Sequence, residues 1–293
     1  MTDPLLTTEE VAALLRVHPK HVYRLLKKGL PSRRVGSEWR FAREEVLAWS
    51  GGADPAQIRP TAEAAAGPIE PDAPPSIVAA NGDVAVATLL ELVAARGPPL
   101  LGFVQADQGA GADLLARGAV FATGAHAGGF ASHVGGERVA RIHLVAREIG
   151  LVGARGGPAP QPSDLPRLRL ASRPATAGVR LHLDASLRAI GLDAAETHRG
   201  ALLLHSHLEV VTAVASGRAD AGLASRAWAE RLGLPFHPLA REAYGLILRA
   251  RHLGDPRAVR LCEVAQSGRF RAACEAIPGY DAAGAGDVRY DGG

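Results

Sequence analysis

A proline-rich segment at residues 51–75 constrains the fold of this 293-residue chain more than any other feature. The segment, GGADPAQIRPTAEAAAGPIEPDAPP, contains six prolines and almost no bulky apolar side chain. Repeated prolines keep a stretch extended and semi-rigid, so a segment of this kind separates bodies that fold independently. The sequence therefore predicts a small domain at residues 1–50, a linker at residues 51–75 and a larger domain at residues 76–293.

Residues 5–29 carry the signals of two short helices joined by a tight turn. Thr7 or Thr8 can cap the first helix, because a hydroxyl accepts from the free backbone N–H groups of a first turn. Pro19 suits the first position of the second helix, and Gly29 ends it. Two short helices of which the second is basic are typical of a helix-turn-helix.

The second of these helices holds every lysine of the chain. Residues 1–50 contain nine basic and six acidic side chains, whereas the remaining residues contain 24 of each. The whole formal excess of positive charge, +3, thus lies in the small domain, and this favours double-stranded DNA as its partner. The side chains expected to face DNA from this helix are Lys20, His21, Tyr23, Arg24, Lys27 and Lys28.

The following segment, SRRVGSEWRF, alternates around a Gly-Ser pair as the two strands of a hairpin would. This hairpin is predicted to be a wing, with Arg33, Arg34 and Arg40 exposed and Ser37 at its tip as further candidates for DNA contact. Trp39 is expected to pack inside the small domain, because so small a core needs every aromatic side chain.

Four pieces of this domain, TTEEVAALL, VYRLLKKG, GSEWRF and REEVLAW, follow one another in the order found in the excisionase-like branch of winged helix-turn-helix domains. The resemblance covers about fifty residues and implies a mostly helical DNA-binding domain.

The larger domain alternates short apolar runs with helical stretches. SIVAA, LLGFVQ, RLRLAS and ADAGLA each precede a stretch with helical periodicity. This alternation predicts an α/β architecture with mostly parallel strands and a ligand site at the strand ends.

Two loops of this domain are suited to a polar ligand. Thr176 and Gly178 lie between a predicted strand and helix, where free backbone amides can hold a small anion. Ser206 and Glu209 have the spacing of a capping box at the start of another helix, so Ser206 can either bind a ligand or only cap.

The passages RPATAGVR, SHLEVVTAVASGRADAGLA and GRFRAACEAIPGYDAAGAGDVR make this domain similar to the periplasmic-binding-protein-like domains related to molybdate-binding proteins. The resemblance implies a type 2 fold with two α/β lobes, lobe I at about 76–147 and 239–293 and lobe II at about 148–238. The ligand-binding residues that it implies are Asn81, Gly82, Asp107, Gln108, His126, Thr176, Gly178, Arg180, Ser206 and His207.

The chain departs from that family in the first two cleft loops, where it has AANGD and QADQGAG instead of Gly-Ser pairs. A carboxylate such as Asp107 beside a dianion costs affinity unless it faces away or is protonated. Two ligand classes therefore stay open, a molybdate-like or tungstate-like oxyanion and a small polar or cationic organic molecule.

Catalysis, metal binding and membrane insertion find no support in the sequence. No nucleophile elbow, phosphate-binding loop or compact histidine pattern is present, so we expect no catalytic residue, no metal and no cofactor. Cys262 and Cys274 are the only cysteines and are expected to be buried thiols. Without an apolar run of about twenty residues or a signal-peptide pattern, a cytoplasmic location without membrane contact is expected.

These features lead to the hypothesis of a ligand-responsive bacterial transcription regulator that is not an enzyme. Because one small domain makes few base contacts, the regulator is expected to bind its operator as a homodimer. Two alternatives remain: an architectural DNA-binding protein whose larger domain serves protein contacts, and an enzyme built on the two-lobed fold. The enzyme would require a hydrogen-bonded set such as Asp107, His126 and His207.

Overall fold

The computed structural model describes residues 5–36, 38–50, 74–126 and 133–290. Its N-terminal domain comprises α1 (Thr8–Leu14), α2 (Pro19–Leu26), β1 (Arg33–Val35), β2 (Glu38–Arg40) and α3 (Arg43–Ser50). Thr7 caps α1 in a capping box with Glu10, and Pro19 is the first residue of α2, as the sequence predicted. The β1 and β2 strands pair antiparallel and form the wing. Apolar side chains from all three helices and the wing form one small core.

The larger domain, called the body below, alternates strands and helices along the chain. Its strands are β3 (Ile77–Ala80), β4 (Gly102–Gln105), β5 (Ala122–His126), β6 (His133–Val134), β7 (Glu137–Gly153), β8 (Leu170–Ser172), β9 (Leu202–Leu203), β10 (Ala221–Ser225), β11 (Phe236–Arg249), β12 (Tyr280–Asp281) and β13 (Val288–Tyr290). Its helices are α4 (Val84–Ala94), α5 (Gln108–Ala116), α6 (Arg180–Ala189), α7 (Ala194–His198), α8 (His207–Ala215), α9 (Arg226–Arg231), α10 (Pro256–Ala265) and α11 (Gly268–Glu275). Short 3-10 helices span Pro162–Arg167 and Ala250–His252.

One continuous sheet runs through the body in the strand order β4-β3-β5-β11-β7-β10-β8-β9. We call β3, β4 and β5, with α4, α5, α10 and α11, the first half of the body. The second half consists of β8, β9 and β10 with α6, α7, α8 and α9. The apolar clusters lie mainly within one half or the other, although Ala227 on α9 joins the main cluster of the first half. The two long strands β7 and β11 pass through both halves.

The prediction of mostly parallel strands holds for the outer strands and is wrong for the centre of the sheet. The pairs β3-β4, β3-β5, β8-β9 and β8-β10 are parallel. In contrast, β7 and β11 pair antiparallel from Val139 opposite Arg249 to Val152 opposite Phe236. Two extended strands that cross between the halves can serve as a hinge, and their register places Glu148 opposite Arg241 at the crossing.

The wing of the small domain packs against the first half of the body. Val35 on β1 is buried in the same apolar cluster as α10. Gly36, in the left-handed region with φ 62°, lies so close to Val288 on β13 that an added Cβ would come 2.8 Å from the valine Cβ. Arg33 lies 3.8 Å from Glu263 on α10. The wing is therefore in direct contact with the body.

Candidate functional site

The outer face of α2 forms the candidate DNA-contacting surface. Val22 is buried in the small core, so the opposite side of the helix is left to solvent. All six side chains predicted to face DNA are exposed there, namely Lys20, His21, Tyr23, Arg24, Lys27 and Lys28. Tyr23 is 52% exposed, far too open for an aromatic that serves only the core. This placement leaves α2 free to enter a major groove.

Two wing arginines are less available than the sequence suggested. The prediction that Arg33 and Arg40 are exposed is wrong, because both are partly buried and ion-paired. Arg33 donates to both carboxylate oxygens of Glu45, at 2.7 and 3.0 Å, since β1 faces the acidic first turn of α3. Arg40 donates to Glu38 at 2.6 Å on its own strand.

Arg34 is the exposed arginine on the described part of the wing. Its guanidinium lies 5.7 Å from the centre of the Trp39 ring. Trp39 itself packs against the small core, as the sequence predicted. Ser37, predicted at the wing tip, lies outside the described residues.

The centre of the body contains a fully buried arginine between two carboxylates. Arg147 on β7 donates to Glu242 Oε1 from Nε at 3.0 Å and from Nη2 at 2.7 Å, and its Nη1 is paired with Asp83 Oδ2. All three side chains are buried. Burial alone would lower the pKa of Arg147, but the charges of Asp83 and Glu242 raise it, so the cation stays protonated.

Two buried tyrosines enclose this ion cluster. The Tyr280 hydroxyl donates to Asp83 Oδ1 at 2.7 Å, and the Tyr244 hydroxyl donates to Asn81 Oδ1 at 2.9 Å. Arg147 Cζ lies 3.8 Å from the centre of the Tyr244 ring, within cation–π range. Burial, followed by the charge of Asp83, raises the pKa of Tyr280, and burial also raises that of Tyr244.

Glu242 also accepts a hydrogen bond from one histidine of each half of the body. His126 Nδ1, at the end of β5, lies 3.0 Å from Glu242 Oε2, and His182 Nε2, on α6, lies 2.6 Å from the same oxygen. Although burial would raise the pKa of Glu242, the charge of Arg147 and the two imidazole hydrogen bonds hold it well below its ordinary value.

Further hydrogen bonds join the two halves across the junction. Thr176 Oγ1 donates to Asp107 Oδ2 at 2.8 Å, and Gln105 Nε2 donates to the carbonyl of His205 at 3.0 Å. The Trp228 indole donates to the carbonyl of Gly82 at 3.0 Å. Together with the His182 contact, these bonds hold the two halves against each other in a closed arrangement.

Arg173, which follows β8, is a buried cation with an incomplete set of partners. Its Nη2 donates to the carbonyl of His205 at 2.6 Å. Within the described structure its Nε and Nη1 have no hydrogen-bond partner. Burial lowers the pKa of Arg173 to about 10, only partly offset by the charge of Asp107. A guanidinium desolvated in this way is costly unless an acceptor completes it.

The structure brings most of the predicted ligand residues into contact at this junction. The pairs that meet are Asn81 with His207, Gly82 with Ser206, Asp107 with Thr176, Gln108 with His126, and His126 with Gly178. Arg180 is separate from them, because it donates to the carbonyl of Arg173 and lies 3.7 Å from Asp184 in its own half. Ser206 caps α8 in the predicted capping box with Glu209.

His207 is buried completely at the start of α8. Its Nε2 lies 3.5 Å from Asn81 Nδ2, and its Nδ1 has no hydrogen-bond partner among the described residues. Burial, followed by the charges of Arg173 and Arg147, lowers its pKa well below the ordinary value. The ring is therefore a neutral imidazole at neutral pH.

Asp107, His126 and His207 do not form the hydrogen-bonded set that an enzyme would require. Asp107 caps α5 through Ala110 N–H at 3.0 Å and accepts from Thr176 with its other oxygen. His126 is bonded to Glu242, and His207 to Asn81. The three side chains are therefore bonded to other partners and not to one another.

Asp83 lies in the predicted cleft loop AANGD, but several other central residues were not predicted as site residues: Arg147, Arg173, His182, Glu242, Tyr244 and Tyr280. A usable signal was present for two of them. Arg147 and Glu242 interrupt the long apolar strands LVAREIGLVG and PLAREAYGLIL, where a charged side chain requires a buried partner. Which of the neighbouring charges faces inward depends on strand register, which the sequence did not specify.

The family description PBP superfamily domain matches residues 90–266. The chain belongs to this PBP superfamily. A second family description, helix-turn-helix domain, matches residues 5–50. The predicted fusion of a helix-turn-helix to a domain with the periplasmic-binding-protein-like fold is thereby confirmed.

Two uncharacterised bacterial proteins are similar to this member of the PBP superfamily. The protein YvgK of Bacillus subtilis (strain 168) is 28% identical over 293 residues, covering 94% of either chain. A protein of Clostridium pasteurianum from the 5′ region of a ferredoxin 2Fe-2S gene is 30% identical over 111 residues, 36% of this chain and 95% of that protein.

Solved structures share the fold of the PBP superfamily chain at low sequence identity. A Clostridium perfringens protein, described as a phosphate ABC transporter substrate-binding protein with bound phosphate, has a TM-score of 0.54 at 12% identity, covering 68% of this chain and 97% of that one. The H2O2-bound C206S mutant of Corynebacterium glutamicum OxyR has a TM-score of 0.50 at 16% identity, covering 92% and 91%. Among the described residues, no helix is long and apolar enough to cross a membrane.

Proposed function

We propose that this protein is a transcription regulator whose helix-turn-helix binds DNA in response to a small polar molecule held between the two halves of the body. The proposal rests first on the combination of domains, because a helix-turn-helix supplies a DNA contact and a PBP superfamily domain supplies a ligand cleft.

The class of ligand is proposed from one observation, the incomplete set of hydrogen-bond partners around Arg173. Two of its nitrogen atoms are buried without an acceptor among the described residues, and its positive charge faces the junction through its contact with the His205 carbonyl. A ligand with an anionic oxygen would supply the missing acceptor in a charge-assisted hydrogen bond. A molybdate-like or tungstate-like oxyanion is therefore the first candidate.

Asp107 raised an objection to an oxyanion, and its contacts weaken that objection. One of its oxygens accepts from Ala110 N–H at the start of α5, and the other accepts from Thr176. A carboxylate satisfied by a helix N-terminus and a hydroxyl presents less charge to a ligand nearby. An anion bound at Arg173 would therefore not face Asp107 as a bare carboxylate.

A route from the body to the DNA-binding domain is supplied by the wing. Val35 packs against α10, which belongs to the first half of the body. Gly36 packs against Val288 on the neighbouring strand β13. A change in the packing of this half would alter the contacts of the wing directly. We propose that two such domains act across operator half-sites in a cytoplasmic homodimer, because spacing between half-sites is what a dimer reads.

A DNA-binding assay with an anion panel tests the proposal. Duplexes that bind the full chain would be selected from a random pool, and their affinity would be measured with molybdate, tungstate, sulfate, phosphate and simple carboxylates. We expect at least one anion to change DNA affinity, and we expect Arg173→Met to abolish the response. Arg169→Met, at an exposed ion pair with Asp220, is the matched control and should respond like the wild type.

The same assay can contradict the proposal. DNA affinity that ignores every anion, together with unchanged thermal unfolding, would reject the sensor. Ligand-independent bending of DNA by such a chain would favour the architectural alternative instead. Sedimentation of the DNA complex gives the number of chains bound, and a single chain on a complete site would reject the dimer.

A further inference from the structure

The junction contains a second group of polar atoms that faces a different kind of ligand. His126 Nδ1, His182 Nε2 and Glu242 Oε2 all lie within 4.8 Å of one another. His126 and Glu242 are buried, whereas the side chain of His182 is 24% exposed, so the group lies under the surface with one open side. Each histidine comes from a different half of the body, and Glu242 comes from the long strand β11 that crosses between them.

We propose that His126, His182 and Glu242 form a binding site for a divalent transition-metal ion, of which Zn²⁺ is the representative. Two imidazole nitrogens and one carboxylate oxygen are a ligand set that borderline metals such as zinc, cobalt and nickel accept. Calcium and magnesium prefer sites made of oxygen atoms alone and are poor candidates.

The distances fit a metal after small side-chain rotations. Ligand atoms placed about 2.0–2.2 Å from a tetrahedral zinc lie roughly 3.3 Å apart. The two nitrogen–oxygen distances here are 3.0 and 2.6 Å, so the imidazoles of His126 and His182 must move away from the oxygen by about 0.3 and 0.7 Å to reach the spacing of a tetrahedral site. Three protein ligands leave a fourth position for water or for an atom of a bound molecule.

Neighbouring contacts fix the orientation of the ligand atoms. Arg147 binds Glu242 through Oε1 and leaves Oε2 turned toward the histidines. Gln108 accepts from the backbone N–H of His126, and the ring of His126 lies against Gly178. Hydrogen-bond partners and packing of this kind hold a metal ligand in place before the metal arrives.

The charges nearby allow a divalent cation. Arg147 is shared between two carboxylates, Asp83 and Glu242, so this buried trio carries a formal charge of −1 before a metal binds. The proposed anion and the metal use different side chains, so neither removes a ligand of the other.

Because the site takes one ligand from each half, the metal would hold the body closed. The effect on DNA binding rests on the proposed function, whereas the metal site itself does not. Binding at such a site is linked to conformation, since only the closed arrangement brings His182 to Glu242.

A metal titration of the full chain tests the site. Protein freed of metal with a chelator would be titrated with Zn²⁺ and with Co²⁺, and Co²⁺ binding would be followed by its visible absorption bands. We expect one equivalent of either metal per chain, the absorption of cobalt with four or five ligands, and a higher midpoint of thermal unfolding with zinc. His182→Ala should weaken binding by at least about tenfold and remove the cobalt bands.

His205→Ala is the matched control, because this exposed histidine is at the same junction and contributes its backbone carbonyl rather than its ring to the described contacts. It should bind both metals as the wild type does. A chain that takes up no stoichiometric metal, or a His182→Ala variant with wild-type affinity, would overturn the site. An anion response without metal binding would reject only the metal site, and metal binding without any effect on DNA would reject only the link to DNA.

Discussion

The imidazole of His126, in the first half of the body, lies directly against the Cα of Gly178, in the second half. A Cβ at position 178 would overlap the ring atoms of His126. The same ring donates from Nδ1 to Glu242 Oε2, so it cannot turn away without losing that contact. Closure of the body therefore requires a residue without a side chain at position 178.

Gly178→Ala is expected to shift the body toward an open arrangement. Overpacking of a closed interface costs about 1–3 kcal/mol, and opening the junction is the simplest relief. The change should raise the radius of gyration measured by small-angle X-ray scattering and weaken zinc binding, because His182 would leave Glu242.

Gly268→Ala provides the control for this variant. Gly268, the first residue of α11, has ordinary backbone angles, and an added Cβ would meet nothing within 4 Å. Its scattering and its metal affinity should match those of the wild type. Identical scattering from Gly178→Ala and Gly268→Ala would contradict the closure argument.

Arg147→Met tests the central ion cluster. The substitution would leave Asp83 and Glu242 buried without their cation, which costs about 3–5 kcal/mol in comparable pairs. Urea unfolding should therefore show a large loss in the free energy of unfolding. Arg241→Met, one residue from Glu242 on β11, removes an exposed pair with Asp281 and should cost at most about 1 kcal/mol. Similar losses in the two variants would show that the buried Arg147 contributes no more to the free energy of unfolding than an exposed arginine does.

The sequence predicted the parts of this protein whose signals are local. Capping residues, the Pro19 start, the exposed lysines and the strand–helix alternation all follow from neighbours within a few positions. The central ion cluster was not predicted, because Arg147, Glu242 and Asp83 are 64 to 159 residues apart in the chain. Arg147 and Glu242 meet only through the register of β7 and β11, and Asp83 reaches them from the start of α4. The exposure of Arg33 was also mistaken, since its partner Glu45 belongs to the next helix.

Acidification should destabilise the fold between pH 7.5 and 5.5. Burial lowers the pKa of His207, and it also lowers those of His143, His198 and His252. Histidines of the unfolded chain have a pKa of about 6.5. As the pH falls, the unfolded chain therefore binds more protons than the folded chain. The stabilisation that these neutral histidines contribute is thus fully present above about pH 6.5 and is lost below it. The free energy of unfolding falls by up to about 1.4 kcal/mol per pH unit for each such histidine.

His207→Gln should reduce this pH dependence, whatever its effect on stability at pH 7.5. Urea unfolding at pH 7.5, 6.5 and 5.5 measures the slope, and carboxylates contribute little there because unfolded glutamate titrates near pH about 4.3. An equal slope in the variant and the wild type would mean that burial does not lower the pKa of His207 in the fold.

Lys27 and Lys28, at the exposed end of α2, are expected to contact DNA phosphates. Replacing either with Ala should lower affinity for all duplexes alike and reduce the slope of log K against log salt by about one. Arg24→Ala, nearer the middle of the helix, should instead relax sequence preference at a base pair, at a cost of about 1–3 kcal/mol. Arg33→Met should leave the salt slope unchanged, because Glu45 already engages that guanidinium. Fluorescence anisotropy on one selected duplex over a salt series separates these outcomes. A smaller slope of log K against log salt for Arg33→Met than for Lys28→Ala would instead indicate that Arg33 contacts DNA phosphates.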